Sequence, residues 1–200
     1  MTPRYTELQL DALRELANIA SGNAATSLSQ MLGREVGLSV PRVLALPLAD
    51  AVEACGGPED DITGVVIPLQ GDLEGVVLLL ISLEGADALC RLLGVEARSE
   101  IGESALREIG NVLGSSCLNA LASMTGLDLE PRPPHLTTDM LGAIVSSLAL
   151  SQAASAELVL VLDSELSVAC EPCSICFVLL PTDGAVTDLL KPLGLAETIA

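Results

Sequence analysis

Along residues 6–32 the apolar positions recur at helical spacing. On a wheel of about 100° per residue, Leu13, Ala17, Ala20, Ala24, Leu28 and Met31 gather in one stripe, with Asp11, Glu15, Asn18 and Gly22 opposite them. Thr6 and Gln9 stand at capping-box spacing and Gly33 follows the last periodic residue, so the pattern predicts one long helix from Thr6 to Leu32. Continuous apolar runs at 62–69 and 75–82, separated by Gln70-Gly71-Asp72, predict two strands joined by a tight turn. A short helix over about 84–93 precedes the polar stretch GVEARSE at 94–100. The order then recurs: a long helix at about 100–124, a helix over about 139–150, strands near 157–163 and 174–180, and a last helix at about 184–192.

The recurrence extends to residue identity. Shifting the chain by 93 residues superposes 11–43 on 104–136 and matches Ala12 with Ala105, Leu13 with Leu106, Arg14 with Arg107, Glu15 with Glu108 and Asn18 with Asn111. Leu28, Met31, Gly33 and Pro41 likewise match Leu121, Met124, Gly126 and Pro134. The chain is an internal duplication. It reads as one α+β domain over residues 1–200, with repeat 1 at about 6–95 and repeat 2 at about 99–195. The expected architecture is a pseudo-twofold one, two long helices packed on a mainly antiparallel sheet.

Both repeats carry the same polar set: Asp11, Glu15, Asn18 and Pro41 in the first, Ser104, Glu108, Asn111 and Pro134 in the second. Glu and Asn at i and i+3 lie side by side on a helix surface, facing away from the apolar stripe. A single such pair is ordinarily the solvated side of an amphipathic helix. Asn, however, is a poor helix former that Gln, Lys or Ala would better on solvent grounds alone. Both copies keep Glu, Asn and Pro while their surroundings diverge, as in NAATSLSQ against SCLNALAS. Small neighbours, Gly22, Ala25 and Ser29 in one copy, Ser115 and Ala122 in the other, leave room for another protein to approach.

On these residues the chain resembles the CheC family of chemotaxis phosphatases, whose mark is the duplicated Asp/Ser-Glu-Asn-Pro signature. The resemblance extends through REIGNVL, LNALASMTGLDL and DMLGAI in the second half. The single-motif CheX relatives fit less well, and so does FliY, since this chain ends at Ala200 without flagellar-switch segments. The resemblance implies an enzyme that hydrolyses the aspartyl phosphate of the response regulator CheY. Such a hydrolysis needs a water in line with phosphorus, and positioning dominates catalysis. A carboxamide accepts from that water and adds no charge beside the anion. Asn18 and Asn111 are then the water-orienting residues. Glu15 and Glu108 would grip a Lys beside the regulator's phosphorylation site, and Asp11 and Ser104 would support them. Pro41 and Pro134 would set the chain's path after each helix. No cofactor of its own is expected; the Mg²⁺ belongs to the bound regulator. The resemblance also makes Asp139, in DMLGA, a candidate contact for the receptor deamidase CheD; the same residue is open to reading as the N-cap of the following helix. An adaptor that binds CheD without catalysis is the alternative function.

Composition narrows the field. With 27 acidic and 9 basic residues, the net charge of −18 disfavours nucleic acid and anionic lipid as partners. One Phe, one Tyr and no Trp leave little for stacking on bases. No run approaches the roughly 20 apolar residues of a membrane helix, and MTPRYTELQL lacks a secretory apolar region. A monomer in the cytoplasm, with reduced cysteines, is expected. Cys170, Cys173 and Cys176 form C-x-x-C-x-x-C, but at the entry to a strand that spacing throws neighbours to opposite faces, so small buried hydrophobes are expected rather than a metal site. His135, beside PRPP, is expected in a loop without a chemical role.

Overall fold

The computed structural model describes residues 6–39, 42–151, 159–168, 171–182, 189, 191–193 and 195. The first helix, α1, spans Glu7–Leu32. Its start is the capping box: the Gln9 N–H donates to Thr6 Oγ1 at 3.2 Å, and the Thr6 N–H donates to Gln9 Oε1 at 2.7 Å. Its end is Gly33, whose φ of 61° is left-handed and lets its N–H reach the Ser29 carbonyl. The second long helix, α4 at Glu100–Thr125, is built alike, with Ser99 Oγ accepting from the Gly102 N–H at 3.0 Å and Gly126 at φ 71° closing it.

Between and after them run β1 (Val36–Leu38), β2 (Arg42–Leu46), α2 (Leu48–Cys55), β3 (Asp61–Gly71), β4 (Gly75–Ser82) and α3 (Leu83–Leu92). Beyond α4 come β5 (Leu129–Pro131), β6 (His135–Met140), α5 (Leu141–Ser151), β7 (Val159–Val168), β8 (Glu171–Pro181) and a short 3₁₀ turn at Lys191–Leu193. The helix expected at 184–192 lies largely outside the described residues, as do Val40, Pro41 and Cys170.

The sheet order is β1-β7-β8-β4-β3-β5, with β2 also on β7 and β6 also on β3, and every described pairing is antiparallel. Exchanging each strand for its counterpart, β1 for β5, β2 for β6, β3 for β7 and β4 for β8, gives the same order read backwards. The register obeys the same exchange. Val36 faces Val168 as Leu129 faces Gly71, and Arg42 faces Asp163 as His135 faces Val66. The halves are therefore intertwined: the short strands after each long helix pair with the hairpin of the other half. The central seam is β4 against β8, with Leu79 opposite Phe177 near its middle.

Both faces of the sheet are covered. On one, α1, α3 and α4 close over Val65, Ile67, Val77, Leu79, Ile81, Leu160, Phe177 and Leu179; on the other, α2 and α5 close over Val66, Val76, Leu78, Leu80, Val161 and Val178. Burial on both sides explains why β4 reads GVVLLLIS without alternation. The helix α2 was not anticipated, because LADAVEAC is too short to show a helical period. It brings Cys55 Sγ to 2.6 Å from Cys176 Sγ of β8. On the opposite side of the sheet, burial pushes the Cys117 thiol up to about 12. His135 opens β6 rather than standing in a loop; HLTTDM is polar because this outer strand is largely exposed.

The helix α4 is seated by two glycines. A Cβ on Gly110 would lie 2.5 Å from Val65 Cγ1, and one on Gly114 would meet Ile67 Cδ1. The counterparts in α1, Ala17 and Ser21, carry side chains. Gly110→Ala should therefore destabilise the protein by about 1–3 kcal/mol in urea denaturation despite the better helix former. Gly22→Ala, where nothing lies within 4 Å of the added methyl, should stabilise it by about 0.5–1 kcal/mol in the same measurement.

Candidate functional site

Leu13, Leu16, Ala17, Ala20, Ala24 and Leu28 are all buried, so packing fixes the rotation of α1 and turns its other side to solvent. Asp11, Glu15 and Asn18 are exposed there. On α4 the buried Leu106, Ile109, Gly110 and Leu113 do the same for Ser104 and Glu108, which are exposed, and Asn111, which is half-buried. The deeper seat of α4 on its glycines accounts for the lower exposure of Asn111.

Among the described residues neither Asn18 nor Asn111 makes a side-chain hydrogen bond, and neither Glu15 nor Glu108 has an ion pair. The carboxamides keep both their donor and acceptor for something outside the fold. Asp11 differs: its Oδ1 accepts from Arg14 Nη1 at 2.5 Å, an exposed pair worth little in stability. Ser104 has no such partner among the described residues, so the two faces are alike in Glu and Asn and unlike in the flanking residue.

The faces are held on one body but point to different ends of it. The β4–β8 seam is antiparallel and both long helices lie on one side of the sheet, so the twofold runs through the sheet and reverses one helix against the other. The helices touch through Ser116 Oγ donating to Ser27 Oγ at 3.0 Å. Asn18 lies about 14 Å along α1 before that contact and Asn111 about 8 Å along α4 before it, at 1.5 Å per residue. Antiparallel helices put the two amides on opposite sides of the crossing. The two Glu-Asn pairs therefore lie apart on the surface.

Neither face is a pocket. An apolar cavity of about 60 Å³ lies on the buried side of the same helices, lined by Leu13, Ala17, Ala20, Cys117 and Phe177 among others, away from the polar faces. A convex helix surface cannot enclose a small substrate, whereas it can enter the concave site of a macromolecule.

Pro134, half-buried, precedes β6; Pro41 lies outside the described residues. Asp139 is exposed near the end of β6, opposite Ile62, and its Oδ1 accepts from the Met140 N–H at 2.8 Å. It does not cap α5. The first N–H groups of that helix go instead to backbone carbonyls, Leu141 to Asp60 and Gly142 to Pro58, both at 2.9 Å. A loop from the neighbouring segment thus fills the place that sequence reasoning offered to Asp139.

Since the amides bear no load in the fold, Asn18→Ala and Asn111→Ala should each shift unfolding free energy by no more than about 0.5 kcal/mol. Chemical denaturation checks this, and loss of folding would return these residues to a structural role.

A family model described as the CheC-like family matches residues 8–44 and again 101–137. The chain is 32% identical over 168 residues to the CheY-P phosphatase CheC of Bacillus subtilis (strain 168), covering 80% of each. Its fold matches FliY of Thermotoga maritima with a TM-score of 0.76 at 21% identity, over 98% of this chain and 100% of that one. The middle domain of FliM from H. pylori shares the fold at a TM-score of 0.68 and 12% identity, over 94% of this chain and 99% of that one.

Proposed function

The chain belongs to the CheC-like family, and from that membership we propose that it hydrolyses the aspartyl phosphate of the response regulator CheY, using Glu15 with Asn18 and Glu108 with Asn111 as two separate sites. The observation that carries the reading is the recurrence of Glu-x-x-Asn on two helix faces whose amides are held out and unbonded. The name of the Bacillus subtilis relative supplies the substrate. The fold alone does not select an activity, because FliM shares it.

In this reading the regulator brings its phosphoaspartate, Mg²⁺ and a Lys beside the phosphorylation site. The Asn side chain enters that site, its carbonyl accepts from the attacking water and its NH₂ faces the phosphoryl oxygens. Holding water in line with phosphorus removes an entropic barrier while leaving charge neutralisation to the regulator. The neighbouring Glu, one turn earlier, meets the Lys and fixes the register. Such an encounter belongs in the cytoplasm. A second reading, an adaptor for CheD, is favoured by one place: Asp139 and Met140, the latter 46% exposed, are both exposed at the end of β6, away from either Glu-Asn pair in sequence and element.

The test is the lifetime of CheY-phosphate with and without CheD. Added wild-type protein should shorten it; each Asn→Ala variant should lose about a hundredfold or more at its own site, and Asn18→Ala with Asn111→Ala should lose all acceleration while keeping its fold. An unchanged lifetime in both conditions would leave only the adaptor reading.

A further inference from the structure

Five large apolar side chains stand exposed among the described residues: Leu8 at 65%, Ile19 at 37%, Ile101 at 68%, Met124 at 36% and Met140 at 46%. Leu8 and Ile101 are 93 residues apart, the shift that relates the two long helices. Each is the second residue of its helix. Nothing in helix physics asks for an apolar side chain at that place. A hydrophobic staple joins the residue before the N-cap to the fourth helical residue, and Ile is a poor helix former. The first turn favours acidic residues. Yet both copies hold a large aliphatic there, about two-thirds exposed.

Each one heads a ridge. Leu8, Ala12, Glu15 and Ile19 follow one another at spacings of four, three and four, as do Ile101, Ala105, Glu108 and Val112. Residues so spaced line one face; Glu15 stands within about 20° of Leu8 around the helix and about 10 Å along it. The acidic residue of each pair is thus flanked by aliphatic side chains, with the Asn beside it.

We infer that Leu8 with Ile19, and Ile101 with Val112, are the apolar anchors with which each helix grips activated CheY around the Glu–Lys contact. This rests on the function proposed above. The occupant follows from the ridge itself: an aliphatic–acid–aliphatic series suits a Lys, whose methylene stem packs on the apolar flanks while its ammonium meets the carboxylate. Aliphatic cover also keeps water from the pair once docked, which strengthens it relative to an exposed one. The anchors recur at equivalent positions of both helices, beside the repeated Glu and Asn, although Gln9, Leu10 and Asp11 next to Leu8 are replaced by Gly102, Glu103 and Ser104 next to Ile101.

Calorimetric titration of the cognate CheY, held active with beryllofluoride and Mg²⁺, tests the assignment. Leu8→Asn with Ile101→Asn should bind about tenfold more weakly and raise KM for CheY-phosphate by a similar factor, with kcat within twofold and an unchanged thermal midpoint. Leu8→Met with Ile101→Met should keep wild-type affinity. Wild-type affinity and KM in the Asn double variant overturn the inference, as does a wild-type protein that binds no activated CheY. So does a variant whose only change is the loss of self-association, which would make a second copy of this chain the occupant. Anchor-dependent binding by a wild-type protein that leaves CheY-phosphate lifetime unchanged rejects the phosphatase reading alone.

Discussion

The constraint on which the molecule depends is the exchange of strands between its halves. Backbone groups of β1 and β2 are satisfied by β7, and those of β5 and β6 by β3, so neither half can close its own sheet. Each long helix leads into short strands that pair with a strand of the other half. The helices cannot drift apart without breaking pairings on both flanks of the sheet. A side chain presented from such a helix is held by the whole domain, which is what positioning a water or a charge to within a fraction of an ångström demands.

The same geometry makes the halves similar without making them equal. Gly110 and Gly114 let α4 settle onto Val65 and Ile67, whereas the equivalent positions of α1, Ala17 and Ser21, carry side chains. Asn111 is half-buried and Asn18 exposed. Asp11 leans on Arg14, and Ser104 carries no charge to pair. One amide is thus partly covered by its surroundings and the other open to solvent, so two faces with one signature differ in the side-chain freedom they hold.

Much of the frame was legible because the strongest signals are periodic. The long helices declared themselves through Leu13, Ala17, Ala20 and their successors and through the Thr6–Gln9 cap, and the hairpin of β3 and β4 through unbroken apolar runs. The duplication was visible only as far as a constant shift holds. From Gly71 to Val168 and from Val66 to Asp163 the shift is 97, not 93, so β7 and β8 fall out of an ungapped comparison. The short strands were missed for the opposite reason. HLTTDM lies on an outer strand, where polar side chains meet water and no alternation survives. The replacement of Asp139 by the carbonyls of Asp60 and Pro58 at the start of α5 was not legible at all, since a backbone acceptor has no sequence signature. The spacing of Glu and Asn on one helix face was readable from residues alone, whereas the aliphatic flanks at Leu8 and Ile101 passed for ordinary helix-starting residues until their exposure was known.

Under the proposed function, a convex face with an amide at its tip would divide the labour of catalysis with its partner. Everything that would make such a site active alone, a pocket, a metal, a clustered set of charges, is costly to keep preorganised and open to water. An exposed Asn on a helix avoids that cost because it has nothing to desolvate until a partner arrives. The partner's own concave site then supplies the low-dielectric surroundings in which one added hydrogen bond counts most. The strongly acidic composition agrees with this economy: a body carrying a charge of −18 repels free phosphate esters, and under the proposed function a partner would offset that repulsion by presenting a Lys and apolar ground to the two ridges.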